Sequence, residues 1–138
     1  MKLIVHPVNS EFVQQLWPKV EKFISSALEY SNGEYTAEQL KVLVVRREQI
    51  LLIGIDEENT IHGAATVQFI DYPNYRVAFI TTIGGRLIAS VENFEQLVNW
   101  CKSCGATKIQ GVARKSIERL WKRLFNFENR YSIVEKDI

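Results

Sequence analysis

Three runs of β-type sequence, at residues 50–55, 61–70 and 75–83, follow one another with only short polar turns between them. Strands this closely spaced leave room for hairpins alone, so this part of the chain is read as an antiparallel meander. On either side the hydrophobic period lengthens to that of helices. Phe12, Val13, Leu16, Val20, Phe23, Ile24 and Leu28 repeat at helical spacing behind Asn9-Ser10, a pair suited to cap the helix. Pro18 falls inside this run and predicts a kink or a break. After Ser31-Asn32-Gly33, the spacing Thr36-x-x-Gln39 has capping-box form and opens a second helix with Leu40, Leu43 and Val44 on one face.

Beyond the meander, Val91, Phe94, Leu97, Val98 and Cys101 mark a helix capped by Ser90 and stopped by Gly105. Residues 107–113 form a strand, and Ser116 caps a short helix bearing Ile117, Leu120, Trp121 and Leu124. Residues 130–138 read as a closing strand with Tyr131 in the core, and the stretch from Met1 is a first strand ended by Pro7. The predicted order is β-α-α-β-β-β-α-β-α-β. It describes an α/β fold with a mixed, mainly antiparallel sheet and helices on both faces.

At 138 residues the chain is read as a single domain, 1–138, able to bury roughly 68% of its unfolded surface. A net charge of +1 carries no global field toward nucleic acid or a membrane. No apolar run approaches the roughly 20 residues of a membrane span. The N-terminal apolar stretch is too short for a signal peptide, so the expected location is cytoplasmic.

Two groupings invite a chemical reading. Cys101-x-x-Cys104 has the spacing of a redox or zinc pair. It closes a helix, however, where the dipole disfavours thiolate, and a second pair of zinc ligands is missing. Cys101 is read as a core position and no metal site is expected. The carboxylates Asp56, Glu57 and Glu58 are consecutive and read as a solvated hairpin turn.

The element order, with these lengths, resembles the GNAT family of N-acetyltransferases over essentially the whole chain. The stretch ITTIGGRLIASVENFEQLVNW falls on that family's fourth strand, phosphate loop and helix, and GVARKSIERLWKRLFNFENRYSIVEKDI on its last strand, helix and closing strand. The short, divergent form is also similar to GNAT-like proteins of tailed phages. The resemblance implies acetyl-CoA or a related acyl-CoA as cofactor, held by Ile83, Gly84, Gly85, Arg86, Leu87 and Arg114. It implies an amine as substrate.

The family's loop reads Arg/Gln-x-x-Gly-x-Gly/Ala, and laying Gly84 on its first glycine puts Thr81 at the Arg/Gln position and Arg86 at the second small one. Close approach of backbone to pyrophosphate needs a small residue there, so the substitution implies weak or absent binding unless Arg86 supplies its own phosphate contact. The alternative is that Gly84-Gly85 only turns the chain. Trp121 occupies the place of the family's acidic Tyr, and an indole N–H cannot protonate a thiolate, which leaves Tyr131, if it is not a core residue, as a distant substitute. Residues 75–83 hold no Glu, Asp or His. Thr81 and Thr82 are left to position a water, with His62 a candidate to face the cleft. Phe125-Asn126-Phe127 replaces the family's Gly-Phe corner.

Lys108, Arg114, Lys115, Arg119, Lys122 and Arg123 make the fifth strand and last helix basic. The readings for this charge are a cofactor phosphate, an acidic protein partner or a solvated face, with nucleic acid the weakest. Two function classes follow. One is an acyl-CoA-dependent N-acetyltransferase. The other is a GNAT-shaped protein without catalysis, structural, virion-associated or host-interacting.

Overall fold

The computed structural model describes residues 2–138; Met1, counted above in the first strand, lies outside the described residues. The elements in chain order are β1 (Ile4–Pro7), α1 (Ser10–Leu28), α2 (Ala37–Val45), β2 (Ile50–Ile55), β3 (Ile61–Asp71), β4 (Arg76–Gly85), α3 (Val91–Ser103), β5 (Lys108–Gly111) and α4 (Lys115–Phe125). Five strands form one sheet in the order β1-β2-β3-β4-β5. The first four pair antiparallel, while β4 and β5 run parallel, joined through α3.

Alternation along the strands divides the core in two. Leu51, Ile53 and Ala64 point to the face covered by α1 and α2, where they meet Val13, Trp17, Val20, Ile24, Leu40 and Val44. Leu52, Ala65, Val67, Ala78 and Ile80 point the other way, against Phe94, Leu97 and Cys101 of α3 and Trp121 of α4. Both faces are thus dry, which suits the apolar β2 sequence ILLIGI.

The capping box on α2 is formed, with Thr36 Oγ1 accepting from the Gln39 amide and Gln39 Oε1 accepting from the Thr36 amide. Three expectations are revised. Helix α1 runs through Pro18 without a break, one of the two outcomes expected there. Proline removes a single hydrogen bond there, and buried anchors on both sides, Trp17 before and Val20 after, hold the two halves on the sheet. Trp17 also takes the inward place that spacing had assigned to Phe12, which is half exposed.

The third correction concerns the C-terminus. Residues 130–138 form no strand, and Tyr131, Ile133 and Val134 are exposed. Asn126 ends α4 in the left-handed conformation, and Phe127 then anchors the chain by donating its N–H to the Trp121 carbonyl and packing on the Trp121 ring. From there the tail reaches across to the α1–α2 connection, where Asn32 Nδ2 donates to both oxygens of Glu135 at 2.9 and 3.0 Å. The two sheet edges therefore differ. Gln96 of α3 seals the outer edge of β1, accepting from the Val5 amide and donating to the Leu3 carbonyl. β5 is the opposite edge strand and faces a cleft.

Candidate functional site

Strands β4 and β5 pair from Val77↔Lys108 to Ile80↔Gly111 and then part. β4 continues to Gly85, whereas β5 ends at Gly111 and Val112 is exposed. Because the two strands are parallel, both chains leave the sheet at the same end. The loop to α3 emerges from one and the loop to α4 from the other. Such a parting at the C-terminal ends of neighbouring parallel strands is where open α/β sheets take ligands.

A β-bulge marks the place where they part. The β3–β4 register steps from Thr66↔Thr82 to Val67↔Ile80, which leaves Thr81 unpaired. Its hydroxyl is nonetheless engaged. Thr81 Oγ1 lies 2.6 Å from Gln49 Oε1, and Thr66 Oγ1 lies 2.6 Å from both Thr81 Oγ1 and Thr82 Oγ1. Since Gln49 Oε1 can only accept, the donors run in one direction, from Thr82 to Thr66 to Thr81 to Gln49. Gln49, Thr66 and Thr82 are buried, so this chain of hydroxyls is a satisfied interior network. Sequence reasoning reached Thr81 and Thr82 but not Gln49 or Thr66. Only the strand register brings those two to them.

The glycine pair closes β4 rather than forming a free loop. A Cβ on Gly84 would stand 2.7 Å from the Phe23 carbonyl oxygen of α1. Gly85 has φ +69, and a Cβ there would strike the His62 carbonyl oxygen and approach Gly63 Cα at 2.8 Å. Glycine is required here by contact between main chains, on α1 at one side and β3 at the other. The Arg86 amide donates to the His62 carbonyl at 2.9 Å, and the Arg86 side chain is exposed. Leu87 is fully buried and packs against Gly54 and Gly63. Ile83 is half-buried on β4.

The loop between β4 and α3 is tied down through its carbonyls. Asn93 Nδ2 donates to the Arg86 carbonyl at 3.3 Å, and Trp121 Nε1 donates to the Ile88 carbonyl at 3.1 Å. Ser90 caps α3 by accepting from the Asn93 amide. Trp121 is buried among Phe94, Phe125 and Phe127, with Phe94 stacked on Phe125 at a 4.0 Å centroid separation. The indole is a fastener between α4 and the loop.

Arg114 belongs to the other wall. Arg114 and not the expected Ser116 caps α4, without a side-chain hydrogen bond, and its guanidinium lies 3.7 Å from the Tyr30 ring centroid. The structure thus brings Ile83 through Leu87 together on one wall and sets Arg114 on the other. His62 does not turn a free imidazole toward the bulge. Its Nε2 meets Asp56 Oδ2 at 2.8 Å within the β2–β3 hairpin. The bond from His62, followed by that from the Thr60 amide, holds the Asp56 carboxyl below its ordinary range. Cys101 is buried and its thiol is pushed up to about 12, first by burial and then by Cys104. Among the described residues no His, Cys, Asp and Glu side chains group as metal ligands, and no helix is long and apolar enough to cross a membrane.

No family model and no curated protein matches the sequence. Solved structures do match. An aminoglycoside acetyltransferase from an uncultured soil metagenomic sample, in complex with sisomicin, aligns over 99% of this chain and 96% of its own with a TM-score of 0.70 and 12% identity. A predicted acetyltransferase from Clostridium acetobutylicum, with acetyl-CoA, aligns over 98% and 96% with a TM-score of 0.66 and 18% identity. The chain has the GNAT fold. Glucosamine-6-phosphate N-acetyltransferase from Arabidopsis thaliana shares it as well, over 99% of both chains, with a TM-score of 0.63 and 12% identity. Of the element order expected from the resemblance, everything through α4 is formed and the closing strand is not.

Proposed function

We propose that this GNAT-fold chain binds an acyl-CoA between the ends of β4 and β5 and passes the acyl group to an amine. The observation that carries this reading is the parting of the two parallel strands after Ile80 and Gly111, beside the N-terminus of α3. The backbone of Ile83, Gly84, Gly85, Arg86 and Leu87 lines one wall. Leu87 contributes its main chain alone, since its side chain belongs to the core. The exposed Arg86 is free to pair with a phosphate, and Arg114 approaches from the second wall once it leaves Tyr30. The acetyl-CoA held by the Clostridium protein on the same fold supports this choice of ligand.

In the reaction the neutral amine attacks the thioester carbonyl, the C–N bond forms, the C–S bond breaks with its electron pair going to the departing CoA thiolate, and the ammonium proton leaves to solvent. No side chain of β4 takes that proton, so the rate should rise with pH until the amine itself is deprotonated. Calorimetry with acetyl-CoA and desulfo-CoA tests the reading without knowledge of the acceptor. The expected result is weak, salt-sensitive binding that Arg86→Gly lowers tenfold or more. Absence of heat with both ligands, or affinity indifferent to Arg86→Gly and to salt, would refute it.

One observation favours a second reading, a GNAT-shaped binding or structural protein of the phage type without turnover. The Trp121 N–H, at the place of the family's acidic Tyr, is already committed to the Ile88 carbonyl. In that case acetyl-CoA binds, or fails to bind, with no thiol release in the presence of any amine.

A further inference from the structure

Across β3, β4 and β5 the registers place three side chains in one row. Gln68 is opposite Phe79, and Phe79 is beside Gln110. Gln68 shares a face with Thr66 two residues earlier, so the row lies on the side of the sheet that carries α1 and α2. All three side chains are half-buried, and strand spacing sets Gln68 and Gln110 about 10 Å apart with the Phe79 ring between them. Phe79 is two residues before the bulge at Thr81, where β4 and β5 part. Phe79 and Gln110 also line a cleft of about 1120 Å³ around the free edge of β5.

We infer that the row Gln68–Phe79–Gln110 reads an acceptor that is rich in hydroxyls, an amino sugar or amino-polyol, rather than a polyamine or a lysine side chain. The inference rests on the acyl-transfer reading and names its substrate class. A primary amide donates and accepts from one planar group, which matches adjacent hydroxyls, and an aromatic ring matches the C–H face of a sugar. A span of about 10 Å holds one such ring. Charge in the cleft points the same way. Lys108, two residues before Gln110 and on the same face of β5, also lines it and holds its ammonium over the Tyr75 ring. A polycation would meet that positive charge.

Binding measured by NMR on the full chain without acyl-CoA tests this, using glucosamine, glucose, spermidine and a lysine peptide. Glucosamine and glucose are expected to shift the side-chain amide signals of Gln68 and Gln110. Gln110→Ala and Phe79→Ala should each weaken that binding at least tenfold. Gln110→Ala decides alone where Phe79→Ala fails to fold. Spermidine or the peptide binding as tightly as the sugars, no sugar binding, or sugar binding unchanged in Gln110→Ala would overturn the inference. Acetyl-CoA binding on the same sample reports separately on the cofactor, so the two readings fail independently.

Discussion

Replacing Gly84 by Ala separates the two roles a glycine can have at the end of β4. If glycine is there for a ligand, the variant folds normally and loses only binding. The structure points elsewhere. The added methyl would lie 2.7 Å from the Phe23 carbonyl oxygen, against 3.4 Å or more for ordinary contact, and that oxygen is main chain within α1. Nothing flexible can yield, so β4 and α1 must separate by most of an ångström along a packed interface that includes Ile24 and Ala64. Overpacking of this kind costs about 1–3 kcal/mol, a substantial share of the roughly 5–15 kcal/mol that holds a domain folded. At about 3 °C per kcal/mol for a chain of this size, the melting temperature should fall by roughly 3–9 °C. Urea unfolding of the ligand-free protein measures it directly. Gly33→Ala is the control, because its glycine has φ +87 but no atom within 4 Å of the added carbon, leaving only the backbone penalty. A Gly84→Ala protein as stable as the parent, yet unable to bind acetyl-CoA, would refute the packing account.

Three further outcomes are expected. Trp121→Phe keeps an aromatic ring beside Phe94 and Phe127 but leaves the Ile88 carbonyl without its donor, and should cost about 1–3 kcal/mol in urea unfolding; an unchanged midpoint would count against the fastener role. Cys101 holds its proton to about 12 in the fold, whereas the unfolded chain releases it from its ordinary 9.0. Stability should therefore fall by about 1.4 kcal/mol per pH unit above pH 9, and Cys101→Ala should flatten the slope; parallel slopes for parent and variant would contradict this. The depressed Asp56 carboxyl contributes stability above its ordinary 3.8 that is lost as pH falls through the lower folded value. Carboxyl NMR should show its midpoint rise in His62→Ala, and a midpoint that stays put would show that the imidazole is not the cause.

Much of the fold is legible in the residues because local periods and caps act over a few positions. The meander at 50–83, the Thr36–Gln39 capping box, Ser90 at the head of α3 and the burial of Cys101 all follow from neighbours in sequence. The closing strand misled for a related reason. Residues 130–138 have strand-like composition, but a strand exists only where a partner edge is in register, and Asn126 and Phe127 send the tail toward Asn32 instead.

The candidate site divides the same way. That strand, two glycines and helix follow one another, and that residues 75–83 carry no Asp, Glu or His, can be read from the residues in order. What the glycines serve depends on distant segments, because the Phe23 and His62 carbonyls that exclude a side chain arrive from α1 and β3. Tertiary contacts also settle that Trp121 is spoken for, that Gln49 closes a hydroxyl chain begun on β4, and that Gln68, Phe79 and Gln110 stand in one row. These contacts join residues 11 to 61 positions apart. Their partners are chosen by strand register and helix placement, which no local pattern of side chains encodes.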